Sequence, residues 1–171
     1  MKLRMLTVPV ILIVSLSLVG CGNNQVATQS TKSSYQLNDF VKYKGSFVGD
    51  NSAVGNILSM LPAHDYLAKF SLETGHVPYG ITANYQANQS ALNKYYDFWN
   101  SKHPDELLER NAAVLFSLVR NVDVVSFNVQ DVGKKTYTFT RTNVQQKYGS
   151  LSRILHSQAS LTNFLNGAHV S

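Results

Sequence analysis

From Met5 to Leu18 the chain is almost uninterruptedly apolar, and from Gly22 to Asn38 it is almost wholly polar. The polar stretch is rich in Gln, Asn, Ser and Thr. It cannot bury enough side chain to offset its ordering entropy, and it reads as a flexible tether. Regular periodicity begins near Asp39, where Phe40, Val41 and Tyr43 appear. Gly49-Asp50-Asn51-Ser52 reads as a turn and a helix start, with Asp50 or Ser52 capping the free amides. Ala53, Val54, Ile57, Leu58 and Leu61 then recur three and four apart, the stripe of an amphipathic helix. Pro62 ends it, because the residue before a proline is pushed out of the helical region. Gly55 weakens this helix by about 1 kcal/mol relative to alanine, so close packing against another element is the reason to keep it.

Leu67 to Glu73 alternates, with Ala68, Phe70 and Leu72 on one side and Lys69, Ser71 and Glu73 on the other. After the turn Thr74-Gly75-His76-Val77-Pro78, the residues Tyr79, Ile81, Ala83 and Tyr85 again fall in phase, so the two runs predict a hairpin. Residues 86–104 hold no clean period; a short helix from about Ser90 to Trp99 is one form open to them. Pro104, followed by Asp105 and Glu106, opens a helix with Leu108, Ala112, Leu115 and Val119 as its stripe and Leu107, Val114 and Leu118 widening it. Beyond Asn121 the period falls to two: Val125, Phe127 and Val129, a turn at residues 131–134, then Tyr137 and Phe139. Thr142 with Gln145 resembles a capping box for a helix ending at Tyr148. Ser150 and Ser157 open further turns, the last docked by Leu161, Phe164 and Leu165 and closed by Gly167. The expectation is an α+β fold: a four-stranded, largely antiparallel sheet in two hairpins, with helices packed on one face.

The apolar run at the start follows Lys2 and Arg4 and closes on Leu18-Val19-Gly20-Cys21, a charged head, a hydrophobic stretch and small residues at a cut site. Its core is shorter than the roughly 20 residues that a membrane span requires. Those four residues resemble the lipobox of bacterial lipoproteins. The resemblance implies that residues 1–20 are a signal peptide and that Cys21 carries a diacylglycerol thioether and palmitate. Residues 21–38 are then the tether and 39–171 a single domain, held by lipid at the extracytoplasmic face of the cell membrane. Losing Lys2 and Arg4 with the leader lowers the net charge from +5 to +3. So modest a charge, with no dense basic cluster, is a solvated surface rather than a nucleic-acid footprint. Cys21 is the sole cysteine. With it lipidated, disulfides, thiol chemistry and cysteine metal sites are excluded, and the core rests on apolar packing, with nine Tyr, eight Phe and one Trp to draw on.

Within the domain, Tyr43, Val48-Gly49-Asp50-Asn51-Ser52, Val54, Leu61-Pro62, Pro78-Tyr79-Gly80-Ile81 and Tyr85 form one set of landmarks. Asn111-Ala112, Leu115-Phe116, Asn121-Val122-Asp123 and the strand Tyr137 to Arg141 form another. In these residues, over about 40–148, the chain resembles an uncharacterised family of Bacillus-type bacteria, the domain of unknown function 4825. The resemblance implies a small lipoprotein; related domains occur at the extracytoplasmic end of some membrane peptidases of the beta-lactam-sensor type. It carries over a location and a domain type and no catalytic or ligand residue.

Chemistry is thinly written in this sequence. Gly49, Asp50, Asn51 and Ser52 are the most function-like tract, a helix start able to offer backbone amides to an anion, against the reading that Asp50 or Ser52 caps them internally. Pro78-Tyr79-Gly80 reads as a pocket edge or as ordinary packing. His64, His76, His103, His156 and His169 have no metal-ligand spacing, no nucleophile elbow is present, and no cofactor or metal is expected. Tyr95, Tyr96, Phe98 and Trp99 are the candidate interaction surface, set against a core-filling role. The functional expectation is recognition without chemistry, of an envelope protein. The alternatives are a hydrolase acting on cell-wall material, which needs two carboxylates converging in a cleft, and a sensor-like domain binding a small ligand.

Overall fold

Helix α4, Pro104–Leu118, is the spine on which the rest is assembled. Pro104 occupies its first turn, where the missing N–H is of no consequence, and Asp105 and Glu106 follow on the favourable side of the dipole. Leu108, Ala112, Ala113, Val114 and Leu115 are all fully buried, so more than one face of the helix is covered. The computed structural model describes residues 35–130, 132 and 135–168, all within the second of two compact units of the chain, Ser33–Ser171. Residues 1–20, Cys21, the tether through residue 34, Asp131, Gly133, Lys134 and His169 lie outside the described residues.

Ahead of α4 come α1 (Leu37–Val41), α2 (Asn51–Met60), β1 (Leu67–Glu73), β2 (Gly80–Tyr85) and α3 (Leu92–Ser101). After it come β3 (Val124–Val129), β4 (Lys135–Thr140), α5 (Arg141–Tyr148), a 3-10 turn at Leu151–Leu155, and α6 (Gln158–Leu165). The fold is α+β, with the strands in the order β1-β2-β3-β4. The two expected hairpins are present, β1 against β2 and β3 against β4, both antiparallel. They are joined by a parallel pairing of β2 with β3, in register from Gly80 opposite Val124 to Tyr85 opposite Val129.

Alternation sorts the sheet into two unlike faces. Ile81, Ala83, Tyr85, Val125, Phe127 and Val129 are buried with the helices. The opposite face is polar and bonds to itself: Asn128 Nδ2 donates to Asn84 Oδ1 (2.9 Å), Thr136 Oγ1 donates to Asn128 Oδ1 (2.8 Å), and the Ser126 and Thr138 hydroxyls meet at 3.1 Å. In α2, a Cβ on Gly55 would lie 3.2 Å from Phe70 Cζ on β1, the close approach anticipated for that glycine.

Three expectations need adjustment. Packing begins a few residues ahead of Asp39: α1 includes Leu37, and Tyr35 and Leu37 pack against the core. Leu37 N donates to Gln158 Oε1 at 2.7 Å, and Gln158 Nε2 donates to Tyr35 O, so α6 holds this segment. Ala68 is exposed, because a register shift between Leu67 and Lys69 turns it off the core face. Thr142 is not a cap. Strand β4 runs straight into α5, so Thr140 takes that place, its hydroxyl accepting from Asn143 N at 3.2 Å.

Candidate functional site

The aromatic segment forms α3, and helical geometry divides it. Tyr95 and Trp99, four apart, are 0% and 2% exposed. They face inward over the end of the sheet, where Trp99 lies 5.6 Å from Tyr85 and 6.1 Å from Tyr95 between ring centroids. The Tyr95 hydroxyl donates to Gln130 O at 2.6 Å, fixing α3 to the end of β3. Two members of the expected interaction surface are thus core residues, since an aromatic pair at i and i+4 is the buried stripe of a short helix. Tyr96 and Phe98 keep partial exposure.

The helix start is occupied by its own chain. Asp50 Oδ1 accepts from Ala53 N at 2.9 Å and Asp50 O accepts from Val54 N at 3.0 Å. That is the internal cap; Gly49, Asn51 and Ser52 surround it without gathering into a site. Tyr79 N donates to Asp123 Oδ2 (3.1 Å), which makes the Pro78-Tyr79-Gly80 stretch a brace between hairpins. Among the described residues, no three of His, Cys, Asp and Glu form a group able to hold a metal ion. His64 turns its Nδ1 to Leu61 O at 3.0 Å.

The structure assembles a site where no local motif marks one. A cleft of about 320 Å³ opens between the first half of α4 and the chain that follows α5. Glu106 and Arg110, one turn apart on α4, form one wall. Lys147 and Tyr148 at the end of α5, with Ser150 and Arg153 beyond it, form the other. Ile154 and Phe164 supply an apolar floor, and Gly167 and Ala168 close the end. Gly167 has φ +83°, which ends α6 in the left-handed region, and a Cβ there would stand 3.5 Å from Arg110 Cζ. The backbone just past the end of α6 therefore lies on the Arg110 guanidinium.

The charges are unevenly matched. Lys147 Nζ and the Tyr148 hydroxyl (3.1 Å) both donate to Glu109 Oε2. The bond to Glu109 holds the Lys147 ammonium above its ordinary range, while burial, and then the Glu109 charge, raises the Tyr148 phenol. At neutral pH the pair presents a cation and a protonated hydroxyl. Arg110 is far less well served. Its side chain is 17% exposed, its one carboxylate neighbour is Glu106 Oε2 at 3.7 Å from Nη1, and its buried Nε has no acceptor among the described residues. Arg153 is exposed and has no ion pair among the described residues. Sequence reading misses this cleft because its walls are about 40 positions apart. Only Glu106 with Arg110, at i and i+4, leaves a local trace, and that spacing equally describes a surface ion pair.

Among the described residues no helix is long and apolar enough to cross a membrane. Neither curated proteins nor solved structures yield a match to the chain. A family model described as a domain of unknown function, DUF4825, matches residues 40–140. That span is more than half of the chain; it contains α2 to β4 and the cleft wall of Glu106 and Arg110, while Lys147 to Ala168 lie beyond it. The chain belongs to the DUF4825 family.

Proposed function

We propose that this protein is a lipid-anchored domain at the extracytoplasmic face of the membrane, and that it works by binding a small ligand in the cleft beside α4. The observation that carries the reading is the cleft itself: a concave, partly apolar space of ligand size with convergent polar groups on two walls. Leu18-Val19-Gly20-Cys21 supports the anchor. The hydrolase reading has one carboxylate on the cleft wall, Glu106, which stands beside Arg110; Glu109 lies behind Lys147, bonded to it and to Tyr148. Neither is poised as a free acid opposite a base. Contact with an envelope protein is the second reading, supported by the partial exposure of Tyr96 and Phe98 on α3.

Native mass spectrometry of the lipidated protein released from membranes tests the first reading. Wild type is expected to carry a small-molecule adduct. Ser150→Trp, an exposed position whose enlargement fills the cleft, is expected to lose the adduct while keeping its melting temperature. An adduct unchanged in the folded Ser150→Trp protein, or none on wild type, refutes binding in the cleft. Palmitate labelling tests the anchor: Cys21→Ser should take up none, and equal labelling of the two proteins refutes it.

A further inference from the structure

The charge balance of the cleft specifies its ligand more closely. Resting on the cleft as a binding site, we infer that it takes a small apolar monocarboxylate, its carboxylate between Arg110 and Arg153 and its apolar part on Ile154 and Phe164. Three cations serve the cleft, Arg110, Lys147 and Arg153, and two carboxylates answer them, Glu106 on the wall and Glu109 behind Lys147. One positive charge is left over, which a single negative charge completes and a dianion would overshoot. The surplus sits on the arginine side. Lys147 has a full hydrogen-bonded partner, Arg110 has only a contact at 3.7 Å, and Arg153 has none among the described residues.

The geometry at Arg110 gives the surplus its form. Its guanidinium is largely withdrawn from water, covered on one side by the Gly167 backbone, and makes no hydrogen bond among the described residues. A desolvated planar donor set of this kind is best matched by a planar oxyanion that accepts two parallel N–H bonds. The floor adds the second requirement. Ile154 and Phe164 are 3% exposed each, and the Tyr148 ring meets Phe164 edge-on at 5.1 Å, so the ligand's far end meets carbon rather than water. A volume of about 320 Å³ has room for about ten water-sized groups, enough for a carboxylate with one hydrophobic side chain.

The test is a titration of the isotopically labelled protein, read at the backbone amides of Gly167 and Ala168. The probes are N-acetyl-L-leucine, N-acetyl-L-phenylalanine and octanoate, the neutral amide of each, and phenyl phosphate. At least one carboxylate is expected to give a saturable shift that its amide does not give. Arg153→Gln, which alters an exposed side chain, should weaken that probe at least about tenfold without changing the melting temperature, and Arg110→Lys should weaken it further by removing the two-point fork. If the amides bind as well as the acids, or if phenyl phosphate alone saturates, the cleft stands as a binding site and the monocarboxylate assignment is overturned. If no carboxylate moves these amides, the assignment is overturned likewise, and the adduct measurement decides separately whether the cleft binds anything.

Discussion

Replacing Arg141 with methionine should unfold this domain more readily than replacing any other single charged side chain. The guanidinium of Arg141 reaches back across the end of α4 and donates to three main-chain carbonyls: Nε to Val122 O (2.8 Å), Nη1 to Phe116 O (2.7 Å) and Nη2 to Val119 O (2.6 Å). Phe116 O is one of the orphan acceptors that a helix end leaves behind, Val119 O belongs to the cap residue, and Val122 O lies in the chain leading to β3. Arg120 N, the natural partner of Phe116 O, instead donates to Ser46 O at 2.8 Å. Hydrogen bonds to a charged group each contribute about 1.5–3 kcal/mol net, so three sum to about 4.5–9 kcal/mol, an upper bound because bonds made by one group do not add in full. The guanidinium is drawn part of the way out of water to make them. Burial is the leading cause of its lowered pKa, and Asp123 opposes it. Methionine also retains part of the contact with the Phe116 ring, which Arg141 Cζ approaches to 5.1 Å of the centroid. A net loss on the order of 3–5 kcal/mol is expected, the range for removing one partner of a desolvated charged network. Urea unfolding followed by far-ultraviolet circular dichroism measures it. Arg141→Lys should recover less than half of the loss, because an ammonium cannot span three acceptors set by a planar fork. A loss under about 1 kcal/mol for Arg141→Met, or a lysine variant as stable as wild type, would refute the clamp.

Trp99→Ala should lose about 3–5 kcal/mol through the cavity left beside Tyr85 and Tyr95, in the same urea experiment; a variant with an unchanged midpoint would return Trp99 to the surface. Tyr85→Phe tests a pH effect. Burial raises the Tyr85 phenol well above its ordinary 10.0, while the Asn111 side chain beside it lowers it in smaller part. The unfolded chain therefore releases this proton first, and the contribution of Tyr85 is whole below pH 10 and is lost as pH rises beyond it. Tyr85→Phe should flatten that decline in melting temperature above pH 10. Near pH 7 it should change stability by less than about 1 kcal/mol, because the Tyr85 hydroxyl and Asn111 Oδ1 are both buried outside hydrogen-bond geometry. An identical alkaline decline in both proteins would refute the assignment.

What could be read from the sequence was whatever is local. The α2 cap, the stop at Pro62, the start at Pro104 and all four strands follow from spacing over a turn or two, and the structure has each within a residue or two of its expected place. The Thr142 miss is local, because β4 runs directly into the helix and Thr140 takes the cap. Other errors come from contacts between distant segments: Leu37 looks like tether until Gln158 meets it. Trp99 looks available until Tyr85 is beneath it. Asn111 shows the same limit: an amide in an apolar helix is explained only by Pro62 O, which accepts from its Nδ2 at 2.9 Å. The cleft is the extreme case, because no residue in it is unusual until α4 and the C-terminal segment face each other.

The parallel pairing of β2 with β3 governs the order in which this chain can be built. Each hairpin closes over a few residues and forms on the microsecond scale. The rungs between β2 and β3, by contrast, join positions such as Gly80 and Val124, 44 apart, and α3 and α4 lie wholly within the loop they close. Loop-closure entropy opposes that step until the crossover has docked. The two halves of the sheet are therefore separate cooperative units before α4 seats, and a single one after it. Amides in the middle of the sheet should consequently exchange with the same opening energy as those of α4, although no main-chain bond of the ladder connects them to it. Stability at the centre of the sheet is thus set by a helix, and a mutation that loosens α4 will be felt first as fraying between β2 and β3.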